Sequence, residues 1–415
     1  MVLSLSIRYF MPESIREAVV IGAGLAGGAA AIRLAQHGRR VLLLEKEPAA
    51  HDKVCGEFIS ADAHPYLHEL GVDLATLDAA RIANIRLIHG SEVASARLPF
   101  PALGLSRRVL DEAVLTRAQQ QGVEVWRGSA VTAIVKEPKC WRIEVAVRGE
   151  PATTACAENR AVSSGPQTIR TRTIFLATGK HDLREWRRQG GTQNDYIGFK
   201  CHYLLAPEQR AALAEHVEMA LYDGGYAGLE PVEDGKANLC LVVTKRQFAA
   251  YGKNWDSLLS AILKATPSLA ERLASAQPCW PRPLSVFGIP YGFVYRAPSS
   301  DSPDLYRIGD QMAVIPSFSG YGMSIALYTA FLAVECHLRG DATLYHHHAR
   351  RDVLPLVRRA SFLSQLAESP LAQRGILFAC RHRPGLIEFI ARHNRIPALQ
   401  RELRLQFSCG AGAAG

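Results

Sequence analysis

Short, unbroken apolar runs recur along this chain and stand apart from its alternating stretches. Ala18 to Ile21 is the first, rich in β-branched residues and read as a strand buried on both faces. Ala29 to Gln36 supplies a helix, Gly38 a stop and Val41 to Leu44 a second run, so Glu17 to Pro48 reads as strand, turn, helix, strand. Val123–Trp126, Thr173–Thr178 and Leu305–Ile308 repeat the type and predict further strands. Ile82–His89 and Glu92–Leu98 predict two strands of a second sheet, and Val131–Val135 with Trp141–Val147 an antiparallel pair. From about Tyr196 alternation dominates, and the stretch to Thr244 reads as an antiparallel meander. Helices are expected over His64–Gly71, after the N-cap Ser106, over Trp255–Leu273 as one amphipathic element, and from Ser324 onward. Glu150–Gln167 reads as a polar loop, Pro278–Pro283 as an irregular connector, and Phe287–Arg296 as a strand crossing between the two sheets.

The turn after the first strand carries the chemistry. Gly22, Gly24 and Gly27 give the spacing G-x-G-x-x-G around Leu25 and Ala26. In such a unit the first glycine permits the tight turn, the second admits a pyrophosphate, and the third lets helix and strand pack closely. Backbone N–H groups and the helix dipole then face the phosphates. Glu45 ends the second strand, with Lys46 beside it, where a carboxylate accepts hydrogen bonds from a ribose diol. A second motif follows Leu305–Ile308. Gly309 and Asp310 end that strand, suiting a sugar-alcohol hydroxyl, and Pro316, Gly320, Tyr321, Gly322 and Met323 open a loop into a helix N-terminus that stabilises negative charge. Two such motifs at opposite ends of the chain point to FAD rather than free NAD. Gly410, Gly412 and Gly415 match the first spacing too, but no helix follows them, so that match carries no site.

Composition narrows the classes. The chain has 415 residues, 48% of them hydrophobic, enough for a large core and two domains. Its net charge of +9 is spread along the whole length, which argues for a solvated basic surface and against nucleic acid. Nine cysteines without a C-x-x-C pair suggest reduced thiols in a cytoplasmic protein. There is no bilayer-length apolar run and no signal-peptide pattern at the start. His346, His347 and His348 lack ligand partners at metal spacing and are expected on a surface helix. The helical, basic stretch beyond Gly340 reads as a cap over the substrate domain, with a peripheral membrane surface as the sharper alternative.

On these motifs the chain resembles the geranylgeranyl reductase-like branch of FAD-dependent oxidoreductases, related to aromatic-ring hydroxylases and flavin monooxygenases. Lys53, Cys55 and Gly56 match its K-x-C-G-G segment, with Glu57 where the second glycine is usual. Arg107 matches an arginine near the dinucleotide, Ala177, Thr178 and Gly179 the A-T-G return, and Gly198, Phe199, Lys200 and His202 a G-F-K-x-H strand. The halogenase W-x-W-x-I-P signature is missing. The resemblance implies an α/β fold with a Rossmann-type, glutathione-reductase-like FAD-binding domain over 17–195, which embeds substrate-side strands near 82–98. An antiparallel β-sheet substrate domain then spans 196–296, a return segment 297–340, and a helical C-terminal region and tail 341–415. The expected activity is NAD(P)H-dependent monooxygenation of a lipophilic or aromatic small molecule. NAD(P)H would bind transiently, or a separate flavin reductase would deliver electrons. The alternative is reduction of carbon–carbon double bonds in an isoprenoid or lipid, and a non-enzymatic flavin carrier is the reading from another class. Cys55, Tyr321 and His181 are the catalytic candidates nearest the flavin segments.

Overall fold

The apolar runs pair as a seven-stranded sheet in the computed structural model, which describes residues 15–147, 166–298, 302–383, 385–393 and 395. Arg16–Ile21 lies between Val41–Leu44 and Gln167–Leu176, parallel to both, and Glu124–Trp126 extends the sheet beyond Val41–Leu44. Leu305–Arg307 joins Gln167–Leu176 in parallel, so the late strand returns to the centre of the early sheet. One face packs on helices Leu25–Gln36, Arg107–Gln120 and Gly322–Leu338. The other is covered by Ile134, Trp141, Ile143 and Val145 of the antiparallel pair. Burial on both sides is why these strands read as continuous apolar runs.

A nine-stranded sheet forms the second layer. Its order is Gln277–Pro278, Gln193–Leu204, Lys236–Thr244, Gly225–Pro231, Glu215–Tyr222, Ala80–His89, Glu92–Gly104 and Phe58–Ile59, with Leu284–Tyr291 also paired to Gln193–Leu204. The sheet is mixed rather than antiparallel throughout, because Glu215–Tyr222 runs parallel to Ala80–His89. Those strands come from distant parts of the chain, so no tight hairpin dictates their direction. Alternation sorts the side chains. Ile197, Phe199, Cys201, Leu239 and Leu241 pack on helices Trp255–Ala265 and Pro267–Leu273. The intervening residues, Gly198, Lys200, His202, Asn238 and Cys240, turn to the opposite face.

Several boundaries differ from expectation. The helix over 255–273 breaks at Thr266, which is extended (φ −133°), because Pro267 disfavours a helical residue before it and donates no N–H. The strand over 287–296 bends at Gly292 into Leu284–Tyr291 and Phe293–Val294. The helix expected from Ser324 starts at Gly322. His346 faces inward, not outward: it is buried beside Arg307, and burial together with that cation pushes its imidazole down to about 4. The described cysteines are free. The loop at 150–165 and the glycine tail lie outside the described residues. Among those residues no helix is long and apolar enough to cross a membrane.

Candidate active site

The glycine turn is built as a cradle. Gly22 adopts φ +100°, and a Cβ there would stand 2.5 Å from the Ala177 carbonyl oxygen. At Gly27 a Cβ would stand 1.9 Å from the Gly22 oxygen, so strand and helix meet backbone to backbone. Gly24 is different. A Cβ there would meet only Lys53 Nζ at 3.5 Å and Arg107 Nη2 at 3.6 Å, two cations across an open mouth. No side chain caps the helix that Gly24 begins, which leaves its first N–H groups for an anion, while Leu25 and Ala26 are buried in its first turn. Asp111 holds both cations, accepting from Lys53 Nζ at 2.7 Å and from Arg107 Nε and Nη2 at 3.0 and 2.9 Å. Glu45 accepts from the Ala23 and Glu47 N–H groups at 2.8 and 3.0 Å, and Lys46 is exposed beside Glu47.

The late motif closes on this cradle. A Cβ at Gly309 would lie 3.0 Å from the Ala26 Cβ, which sets Asp310 beside the first turn of the Leu25–Gln36 helix. The Asp310 peptide oxygen accepts from Arg188 at 3.0 Å, and among the described residues no group pairs with its carboxylate. Thr178 Oγ1 is buried without a partner, and a Cβ on Gly179, Gly322 or Gly56 would meet nothing within 4 Å. Pro316 leads into the turn Ser317–Ser319, Gly320 packs on the Phe58 ring, and Met323 is buried in the helix start. An uncapped helix end, an orphaned hydroxyl, a free carboxylate and open glycines along one line fit a bound FAD.

The loop 52–57 holds what sequence reasoning missed. Glu57 is fully buried at φ +62° and turns into the interior. Its Oε2 accepts from His202 Nε2 at 2.7 Å, and its Oε1 accepts from Lys200 Nζ and, at 2.7 Å, from the Arg107 N–H. Asp52 stands 3.6 Å from the same ammonium, and the Trp280 ring lies 5.7 Å from it. Burial works to raise the Glu57 carboxyl, but the His202 hydrogen bond and the Lys200 charge hold it below its usual range. Glu230, on the same face, is the opposite case. It is 3% exposed, its Oε1 has no partner, and burial with the nearby Glu57 charge pushes it well above the usual range. A carboxyl held below its usual range and one pushed well above it therefore share this face with the Cys55 thiol. Asn238 anchors the loop through the Cys55 and Gly56 carbonyls at 3.2 and 2.9 Å. The available signal was two charged residues, Lys200 and His202, on one face of a strand otherwise made for burial.

The three catalytic candidates are not brought together. Cys55 is half-buried in the ionic cluster and faces the Arg107 guanidinium. Tyr321 is buried with its hydroxyl donating to the Ala391 carbonyl at 3.4 Å, towards Asp62 and Arg395. His181 is exposed, and the charges around it are those of Lys46, Arg188, Glu47 and Lys180, so it lies on the rim by the second strand. Further along the sheet face, Tyr226 and Tyr291 meet Ser317 Oγ at 2.6 and 2.8 Å, tying the sheet to the loop before the Gly322–Leu338 helix.

A Rossmann-type domain with this cradle and a sheet closed over it defines a flavoprotein oxidoreductase. Residues 17–53 match the FAD binding domain family. The chain is 24% identical over 345 residues to menaquinone reductase of Mycolicibacterium smegmatis, covering 79% of this chain and 78% of that protein. Digeranylgeranylglycerophospholipid reductase 2 of Methanopyrus kandleri is 26% identical over 328 residues, 77% of this chain and 76% of its own. Among solved structures the flavin-dependent brominase Bmp2 superposes with TM-score 0.71 and 18% identity over 96% of this chain and all of that one, a likeness of fold. The chain is an FAD-dependent oxidoreductase with relatives in the geranylgeranyl reductase-like branch.

Proposed function

We propose that the chain reduces carbon–carbon double bonds in a polyprenyl lipid. The observation that carries this reading is the gradient along the sheet face turned to the cofactor domain. One end holds Lys200, His202, Glu57 and Glu230; the other is apolar, with Leu221, Val242, Ile289 and the rings of Tyr196, Tyr226 and Tyr291. The apolar end is buried against Leu377 and Ile387 of the C-terminal helices, so an amphiphile with a polar head and a long apolar tail would thread between those helices and the sheet. The relatives that match most of this chain are named for menaquinone and for a geranylgeranyl phospholipid, both of which carry polyprenyl chains.

Reduced FAD supplies a hydride when bound. Saturating a double bond also takes a proton, and the two carboxyls divide the roles: Glu230, whose carboxyl burial pushes well above its usual range, is the proton donor this reading assigns, while Glu57, held below its range, fixes Lys200 and His202. The apolar end keeps water from the tail. NAD(P)H or a separate flavin reductase serves as electron source. Hydroxylation, the earlier expectation, uses the same cofactor but gives the opposite product.

The test is anaerobic mixing of chemically reduced, FAD-loaded protein with a geranylgeranyl phospholipid, which carries no quinone ring to take the electrons instead. Flavin reoxidation with a product heavier by two hydrogens per bond is expected; reoxidation that needs dioxygen, with one oxygen gained, would overturn the reading. Glu230→Gln should bind FAD normally and slow this reoxidation by about 10²-fold or more. The same variant should unfold later at pH 7 by at least ~1 kcal/mol and match the parent near pH 4, because a carboxyl raised by folding weakens the folded state only as pH climbs above its unfolded value.

A further inference from the structure

The C-terminal helices Ala342–Leu366, Pro370–His382 and Gly385–His393 carry apolar side chains on two sides. The inner side is accounted for: Leu377, Cys380 and Ile387 pack on Leu221, Tyr226 and Val242, the apolar end of the sheet face. The outer side is left exposed among the described residues. Leu371 is 78% exposed, Phe378 65%, Phe362 60% and Phe389 56%, with Leu366 also exposed. Five of the nine exposed large hydrophobics among the described residues fall on these helices, so the patch is a local feature and not the ordinary scatter of a surface. The charge on these helices is one-sided, although Arg381 also pairs with the exposed Glu92 at 3.2 Å. Residues 342–393 contain eight arginines against three acidic residues, and Arg374 and Arg381 flank Phe378 on the exposed side of its helix.

We propose that this outer face docks on an anionic bilayer, with Leu371 and Phe378, one face of the Pro370–His382 helix, in the acyl boundary and Arg374 and Arg381 beside them at the headgroups. Exposed apolar side chains in a basic rim match that interface in both polarity and charge, and helices of this kind lie in the interface plane. A spanning arrangement is excluded for the described helices by their length and polarity. Docking this way sets the apolar end of the sheet face one helix layer from the acyl chains, so a lipid reaches its binding face without crossing water. Only that last step rests on the function proposed above.

Full-length, FAD-loaded protein is sedimented with vesicles of phosphatidylcholine alone or mixed with phosphatidylglycerol. Binding to the mixed vesicles that falls with added salt is expected. Leu371→Ser with Phe378→Ser should weaken it by about tenfold or more, and Arg374→Glu with Arg381→Glu should weaken it for the mixed vesicles in particular. Flavin absorbance and unfolding midpoint in solution should stay those of the parent. Equal binding by parent and variants, or no binding, overturns the proposal, as does a concentration-dependent dimer that Phe378→Ser dissolves, which would give the face to a second copy of this chain. Turnover with detergent-dispersed polyprenyl lipid separates the two proposals. If vesicle binding stands without turnover, the docking surface survives and the reductase reading falls; turnover without vesicle binding does the reverse.

Discussion

Glu57 occupies a backbone conformation that glycine adopts freely, at the position where the related segment usually carries glycine. Holding a non-glycine residue there costs about 1–3 kcal/mol, and the compensation is visible in its hydrogen bonds to Lys200, His202 and the Arg107 N–H. Glu57→Gly should therefore lose about 3–5 kcal/mol in urea unfolding despite relieving the backbone, because Lys200 is left buried with only Asp52, 3.6 Å away, to balance its charge. Adding Lys200→Met should restore much of that loss, a coupling that a double-mutant cycle measures. The pH sign follows from the depressed carboxyl. Its contribution is present above the usual carboxylate range and is lost as pH falls through the folded value, so the acid limb of stability should flatten in Glu57→Gly. The glycines separate in the same way. Gly27→Ala should fail to fold stably, since its Cβ would meet the Gly22 oxygen at 1.9 Å; Gly24→Val should fold but lack bound flavin absorbance, since its side chain points into the open mouth. Glycine requirements of this kind are local and legible in the sequence. The partner of Glu57 lies 143 residues away and is not.

Elements decide which of those residues meet. The Leu305–Arg307 strand pairs with Gln167–Leu176, and this places the following turn against the Leu25–Gln36 helix. Among the described residues the Asp310 carboxylate then has no partner, which leaves it open to accept hydrogen bonds from a polyol. Asp310→Ala should weaken FAD about 10- to 100-fold by absorbance titration, the worth of one hydrogen bond to a charged group, and full occupancy would remove the assignment. Most elements were legible because their signals are strong and local: Ser106 caps its helix by accepting from the Val109 N–H at 3.2 Å, and the strands at 82–98 pair as expected. The misses have local causes as well. Pro267 stops a helix whose apolar period continues past it, and the parallel pairing of Glu215–Tyr222 with Ala80–His89 leaves no mark in either strand. His181 reads as adjacent to the flavin because it follows Gly179 in sequence, yet its loop turns outward to Lys46 and Arg188.

Across the molecule, the candidate cofactor site draws on segments near residues 22–27, 45, 107, 178 and 309–323, which the seven-stranded sheet and the helices packed on it bring together. Ligand and fold are then linked. FAD at a hundred times its dissociation constant should stabilise the chain by about 2.7 kcal/mol, with probes in both sheets shifting together; a shift confined to one would show that the two layers unfold independently. What the order of residues settled was everything carried by short-range rules: the βαβ unit and its glycines, the second strand-loop-helix motif, and hence a flavin nucleotide fold. Tertiary structure alone decided that Lys200, His202, Glu57 and Glu230 share one buried face, that the Glu230 carboxyl is pushed up while that of Glu57 is held down, and that, among the described residues, the C-terminal helices leave a second apolar side exposed. The reason is physical: periodicity and turn chemistry act over a few residues, whereas the protonation of a buried carboxyl and the exposure of a phenylalanine depend on what the rest of the chain packs around them.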